Sequence, residues 1–235
     1  MASPKYGILF CIIGVLSIFL GSFYGGAAWI LLWPAANFFV VAAGYLGMGP
    51  AVFGKRSDGR LALVHHSFLV PFLVYTLAAW HLIRLTSREP PTDRLVDGIW
   101  LGRRQLGNEL PSSIDSVLDL TAEFPEPRGI RDVPSYLCSP IMDAGVPTWS
   151  QLHSILSFLH EERHGGILIH CAQGHGRTAT VAAAFLIASG RCNTVEAAIE
   201  HTTKCRPKAH MNKQQRRFLD THQSQLVALA TQFKS

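Results

Sequence analysis

The chain has 235 residues, 48% of them hydrophobic and only 16% charged, with 21 Lys and Arg against 16 Asp and Glu for a net charge of +5. The charge deficit is local, because residues 6–54 and 61–83 contain no Asp, Glu, Lys or Arg at all, a pattern foreign to an ordinary soluble core and incompatible with disorder. Residues 96–235 hold 14 basic and 13 acidic side chains, which excludes the cationic excess of a nucleic-acid binder.

A bilayer core about 30 Å thick is crossed by roughly 20 apolar residues of helix. Three stretches reach that length: Tyr6 to Phe23, Ala27 to Gly47, and Leu61 to Ile83. Gly25 and Gly26 predict a hinge between the first two. Trp29, Trp33 and Trp80 fall near the ends of the second and third stretches, where indole rings prefer the headgroup layer. His65 and His66 are read as neutral imidazoles near the headgroups beside Arg60. The apolar sequence runs past any signal-peptide cleavage site, so the segment is read as an anchor. Lys55, Arg56 and Arg60 before the third stretch and Arg84, Arg88 and Arg94 after it both claim the cytoplasmic side. Three full crossings cannot satisfy both claims, and the sequence leaves two or three spans open.

Residues 1–85 are thus expected to be a membrane region and 86–94, with the pair Pro90-Pro91, a linker. Residues 95–235 are expected to form an α/β domain with a mostly parallel central sheet flanked by helices, since strands and helices alternate. Strands are predicted over Ile99–Leu101, Ser116–Leu120, Ser135–Cys138 and Gly166–Cys171. Helices are predicted over Thr148–Arg163, with Thr148 as cap, and over Arg177–Ser189, Thr194–Lys204 and Asn212–Phe233. The five cysteines, Cys11, Cys138, Cys171, Cys192 and Cys205, are an odd count without paired spacing and read as free thiols in a reducing compartment.

The segment Ile167 to Thr178 carries the chemistry. A buried strand delivers Cys171 to a loop, Ala172-Gln173-Gly174-His175-Gly176, that ends where Arg177 opens a helix. Such a loop turns several N–H groups inward, and the helix N-terminus adds positive potential, so the concavity suits a phosphate dianion. The same field favours thiolate at Cys171, and Arg177 can offer a planar fork to two phosphate oxygens. The glycines allow the angles and close approach that the wrapping needs.

His170-Cys171 through Arg177-Thr178 resembles the His-Cys-x5-Arg-Thr/Ser signature of the protein tyrosine phosphatase superfamily, and the surrounding residues 95–220 resemble its dual-specificity branch. The resemblance implies a phosphatase, here carried behind the anchor read from the apolar stretches, that uses Cys171 as nucleophile, Arg177 and the loop amides as phosphate ligands, and Thr178 as hydroxyl partner of the thiolate. Asp143, 28 residues upstream on a loop, is the expected general acid, with Asp132 as runner-up. His170 is expected to support the loop, and Asp119, inside an apolar strand, to make a structural hydrogen bond. No cofactor or metal is implied, and the scattered histidines lack ligand spacing.

The expected substrate is a phosphoprotein or, alternatively, a phospholipid monoester, with the lipid bilayer as partner and the catalytic domain in the cytoplasm. Ala172 and His175 stand where lysines neutralise highly phosphorylated inositols in related enzymes, so a singly phosphorylated lipid fits better. Lys208 and His210 could extend a positive rim. Cys138 could form a protective disulfide with Cys171, although core packing is the simpler reading. Two readings from other classes are a silent phosphate-binding scaffold and a rhodanese-like sulfurtransferase; the first conflicts with the presence of nucleophile, arginine and acid, the second with Asp143 and Thr178.

Overall fold

The computed structural model of the protein describes residues 4–161 and 165–232. Its first helix, α1 (Pro4–Tyr24), buries Gly7, Gly14 and Gly21, one residue every second turn on a single stripe. A Cβ at Gly7 would lie 2.7 Å from Leu46 and one at Gly14 3.0 Å from the Phe39 ring. The stripe therefore lets the following helical stretch approach closely, as small residues do between membrane helices. Gly25 and Gly26, with φ of 61° and 52°, make the expected turn. A 3-10 segment (Gly26–Leu31) leads into α2 (Leu32–Ala43), which continues irregularly to Phe53. Pro4–Tyr24 and Gly26–Phe53 are the two stretches, among the described residues, long and apolar enough to cross a bilayer.

The third apolar stretch departs from expectation. Lys55 and Leu61 close a small antiparallel bridge, and the remainder breaks into α3 (Leu63–Phe68) and α4 (Val70–Thr86). Pro71 lies in the first turn of α4, where its missing N–H costs nothing. The Phe68 carbonyl freed at the break accepts from Asn37 Nδ2 at 2.9 Å and Trp33 Nε1 at 2.8 Å. Both ends of the stretch lie against the α/β domain, through Lys55 on Asp119 and Arg84 on Glu109, so residues 61–83 do not form the single long apolar helix expected of a span. Trp80 is not at a headgroup layer: it is 2% exposed and its Nε1 donates to the Ala172 carbonyl in the loop after Cys171.

The five-stranded sheet has the order β1-β2-β5-β3-β4. Its strands are β1 (Thr92–Val96), β2 (Ile99–Arg103), β3 (Ile114–Thr121), β4 (Ser135–Ile141) and β5 (Gly166–Cys171). All pairs are parallel except the edge pair of β1 with β2. β1 takes up Thr92 to Arg94, three residues assigned by composition to the linker; their polar side chains suit an edge strand, which one-dimensional composition does not distinguish from a loop. The central β5 is buried along its whole length, as a parallel strand covered on both faces must be.

The helices α5 (Arg128–Arg131), α6 (Trp149–Glu161), α7 (Gly176–Ala188), α8 (Val195–Cys205) and α9 (Lys213–Gln232) surround the sheet. Thr148 caps α6, its Oγ1 accepting from Gln151 N at 3.2 Å while Gln151 Oε1 accepts from Thr148 N, a capping box. The predicted helix ends at Arg163 and Phe233 lie outside the described residues. One core joins Leu118, Leu156, Ile169 and Leu186. A second joins Val41, Val52, Phe53 and Phe72 of the N-terminal segment to Ala122 and Met142 of the α/β part, so the two regions share buried surface.

Candidate active site

β5 is the middle strand of the sheet, flanked by β2 and β3. Its carboxyl end is therefore where an open α/β sheet offers a crevice. Cys171 ends β5, is 4% exposed, and opens the loop that closes at Gly176, the first residue of α7. Gly174 has φ of 71° and a Cβ there would fall 2.4 Å from the Gly102 carbonyl carbon, so both handedness and space demand glycine. At Gly176 the atoms nearest a virtual Cβ are those of the Gln215 side-chain amide, the first at 2.8 Å.

Arg177 is buried and reaches back under the loop. Glu123 grips it with two parallel bonds, Nη2 to Oε1 at 2.7 Å and Nη1 to Oε2 at 2.9 Å, while Nη1 also donates to the Ile141 carbonyl at 2.8 Å. Asp143 Oδ1 lies 3.1 Å from Nη2, which leaves Nε buried without a partner among the described residues. Burial opposes the charges, but the pairing wins, holding the Glu123 carboxyl below its ordinary range and raising Arg177 further. Asp143 stands on the loop after β4 with its side chain 60% exposed, and it lines the same cavity as Cys171. Asp132 ends α5 with its side chain 63% exposed and pairs with Arg131; it does not line that cavity. Thr178 Oγ1 is buried with no hydrogen-bond partner among the described residues, so the expected bond to the Cys171 sulfur is not formed here.

Beneath the loop lies a buried polar layer. His170 Nδ1 sits 3.4 Å from the Cys171 carbonyl and its Nε2 4.0 Å from Asp119; burial pushes the imidazole down to about 4, so it is neutral. Asp119 makes the structural bonds its position suggested, accepting from Tyr136 Oη at 2.7 Å and Thr121 Oγ1 at 2.7 Å. It also accepts from Lys55 Nζ at 2.5 Å, and the same ammonium donates to the Thr121 carbonyl and hydroxyl at 2.7 and 2.6 Å. Asp119, Glu126 and His170 form the one metal-like grouping among the described residues, with donor atoms within 4.8 Å, and the Lys55 ammonium supplies the cation there.

Several of these partners escape sequence reasoning. Arg206, 2% exposed, donates to the Gly174 and Gln173 carbonyls at 2.9 and 3.2 Å and pairs with Asp93 at 2.5 Å. Trp80 Nε1 donates to the Ala172 carbonyl at 2.9 Å. His175 Nε2 lies 2.9 Å from Glu89, which also takes Lys208 Nζ at 2.9 Å. Cys138 is not placed as a resolving thiol. It lies on β4 opposite Asp119, which in turn faces His170 across β3 and β5, two strand spacings or about 10 Å away, beyond disulfide reach. Burial, reinforced by Asp119, pushes the thiol up to about 12.

A buried cysteine ending the central strand, a wrapped loop and an arginine opening the next helix agree with the match of residues 109–225 to the family described as dual specificity phosphatase, catalytic domain. The chain belongs to the dual-specificity branch of the protein tyrosine phosphatase superfamily. It is a cysteine-based phosphatase. Among solved structures it is similar to Tk-PTP in the active form, with 26% identity, a TM-score of 0.51, and coverage of 57% of this chain and 97% of that one. It is also similar to PTPMT1, with 25% identity, a TM-score of 0.52, and coverage of 60% and 99%. Human DUSP28, at 18% identity and a TM-score of 0.50 over 59% and 96% of the two chains, shares the fold. The uncharacterized protein MJ0215 of Methanocaldococcus jannaschii is 34% identical over 68 residues, which is 28% of this chain and 43% of that protein, so the match spans less than half the relative's length.

Proposed function

We propose that the protein is a membrane-anchored phosphomonoesterase working through a cysteinyl-phosphate intermediate. The observation that carries the reading is the convergence of Cys171, Arg177 and Asp143 on one cavity of about 450 Å3. Cys171 Sγ attacks phosphorus as the ester P–O bond breaks, and Asp143 gives its proton to the departing oxygen. Arg177, through the unpartnered Nε and the Nη2 now facing Asp143, and the loop amides from Ala172 to Gly176 hold the other oxygens. Thr178 turns its free hydroxyl to the sulfur. Asp143 then takes a proton from water, the P–S bond breaks, inorganic phosphate leaves and the thiolate is restored. His170 keeps the loop in place as a neutral ring.

α1 and the Gly26–Phe53 stretch serve as two crossings. The catalytic domain then lies on the side of Lys55, Arg56 and Arg60, the cytoplasmic side by the distribution of basic residues. A phosphoprotein is the substrate class read first from the sequence. A phospholipid monoester is the second reading, supported by aromatic residues on the far wall of the cavity. An aryl phosphate assay of the full chain tests the chemistry. Cys171→Ser is expected to abolish turnover and Asp143→Asn to lower kcat by about 10²-fold or more. Equal hydrolysis by wild type and Cys171→Ser refutes the mechanism.

A further inference from the structure

The catalytic cavity has two unlike walls. One is the phosphate loop with Arg177 and Asp143; the other is built by the N-terminal segment, with Phe10 from α1, Tyr45 and Phe53 from the stretch after α2, and Phe72, Tyr75 and Ala79 from α4. Phe10, Tyr45, Phe53 and Phe72 form a continuous aromatic cluster with ring centroids 5.6 to 6.0 Å apart. The wall does not stop inside. Tyr75 is 58% exposed and Ile83, another lining residue, 48% exposed, so the cavity runs out onto the same apolar surface that α1 and α4 present to their surroundings.

Resting on the phosphomonoesterase reading, we infer that this wall is a hydrocarbon-chain site and that the substrate is a lipid carrying a single phosphate. The phosphate sits in the loop over Cys171 while the chain follows the aromatic wall from Phe72 past Tyr75 to the bilayer. Continuity argues for this occupant: one end of the cavity binds a phosphate monoester, the other opens among the helices whose apolar faces suit a bilayer, and a lipid monoester is the ligand with both parts. A phosphopeptide would set its polar backbone against aromatic rings, with only the Tyr45, Tyr75 and Thr76 hydroxyls to pair with along that stretch of wall. One phosphate, not several, follows from the charges beside the loop. Glu89 engages His175 and Lys208, and Asp93 engages Arg206, so these three basic groups already have carboxylate partners.

The experiment uses the full chain in phosphatidylcholine nanodiscs with ethyl, butyl and hexyl phosphate, short enough to stay largely in water. Each methylene entering an apolar wall improves binding about fourfold. Wild-type kcat/KM should therefore climb steeply from ethyl to hexyl phosphate. Ala79→Trp, which fills the wall, and Tyr75→Ser, which strips its exposed rim, should each flatten that climb; the slope is read, not the absolute rate. Binding of the same series to Cys171→Ser by calorimetry reports the wall without turnover, so a failed mechanism leaves the chain-length dependence measurable. A flat series in both measurements, a slope unchanged in both wall variants, or a phosphotyrosyl peptide turned over faster than hexyl phosphate overturns the inference.

Discussion

Lys55 tests how far the N-terminal segment is part of the catalytic fold. Its ammonium and the Asp119 carboxylate are both fully buried, and all three of its protons are used, on Asp119, the Thr121 carbonyl and the Thr121 hydroxyl. Burial works against the charge of each, yet the mutual attraction raises Lys55 and holds Asp119 below its usual range. Lys55→Met keeps the stem volume and removes the charge, which strands Asp119 between Tyr136 and His170. Breaking one side of a buried pair costs about 3–5 kcal/mol, and a chain of this size loses about 2–4 °C per kcal/mol, so the melting temperature should fall by about 10 °C. The assay is thermal unfolding of the full chain in nanodiscs. Adding Asp119→Asn to Lys55→Met removes the stranded charge and should recover at least half of the loss. A single variant melting within about 2 °C of wild type, or a double variant whose losses simply add, would show that the pair does not couple the two regions.

His170 predicts an acid limb to stability. Burial holds the folded imidazole down to about 4, whereas an unfolded histidine takes its proton near 6.5. Its contribution is therefore complete above about pH 6.5 and is lost as the pH falls towards 4, a change of about 3 kcal/mol. His170→Asn should flatten the denaturation profile across that window, and parallel profiles would contradict the assignment. Gly174→Ala meets both a left-handed φ of 71° and the Gly102 carbonyl carbon at 2.4 Å. It should cut aryl phosphate turnover by at least tenfold, while wild-type rates would show that the loop tolerates a Cβ.

Periodicity and local chemistry carried the parts of the fold that repeat over short distances. The strand of Ile167 to Cys171, the capped helix after Thr148 and the loop geometry around Gly174 are all written in consecutive residues, and the structure places them where such residues point. Contacts between distant segments are not written that way. Glu123 gives no sign in its neighbourhood that it will grip Arg177, 54 residues on, and Arg206 looks like one surface base among many until the chain returns it beneath Gly174. Lys55 read as a topogenic charge beside a membrane span, because burial of its Nζ under β3 depends on a 64-residue separation. Trp80 misled for a related reason: an indole at the end of an apolar run has the same local signature whether it meets headgroups or a loop carbonyl. One signal was available and unread, the seven-residue spacing of Gly7, Gly14 and Gly21, which marks the face that α1 turns to α2.

Under the proposed two crossings, the break at Leu69 removes the conflict that the basic residues posed. With three crossings, the group at Lys55, Arg56 and Arg60 and the group at Arg84, Arg88 and Arg94 would lie on opposite sides of the bilayer, and one of them would violate the positive-inside rule. Asn37 and Trp33 satisfy the freed Phe68 carbonyl, which removes the main penalty for interrupting a helix in an apolar setting. The chain can then fold back, and Lys55 and Arg84 reach Asp119 and Glu109 of the same domain. Under the proposed two crossings, every basic residue from Lys55 to Arg94 would lie on the side of the catalytic site. The same fold-back lays α4 along the cavity, so the feature that would reconcile the charge distribution also supplies the wall proposed to take the hydrocarbon chain.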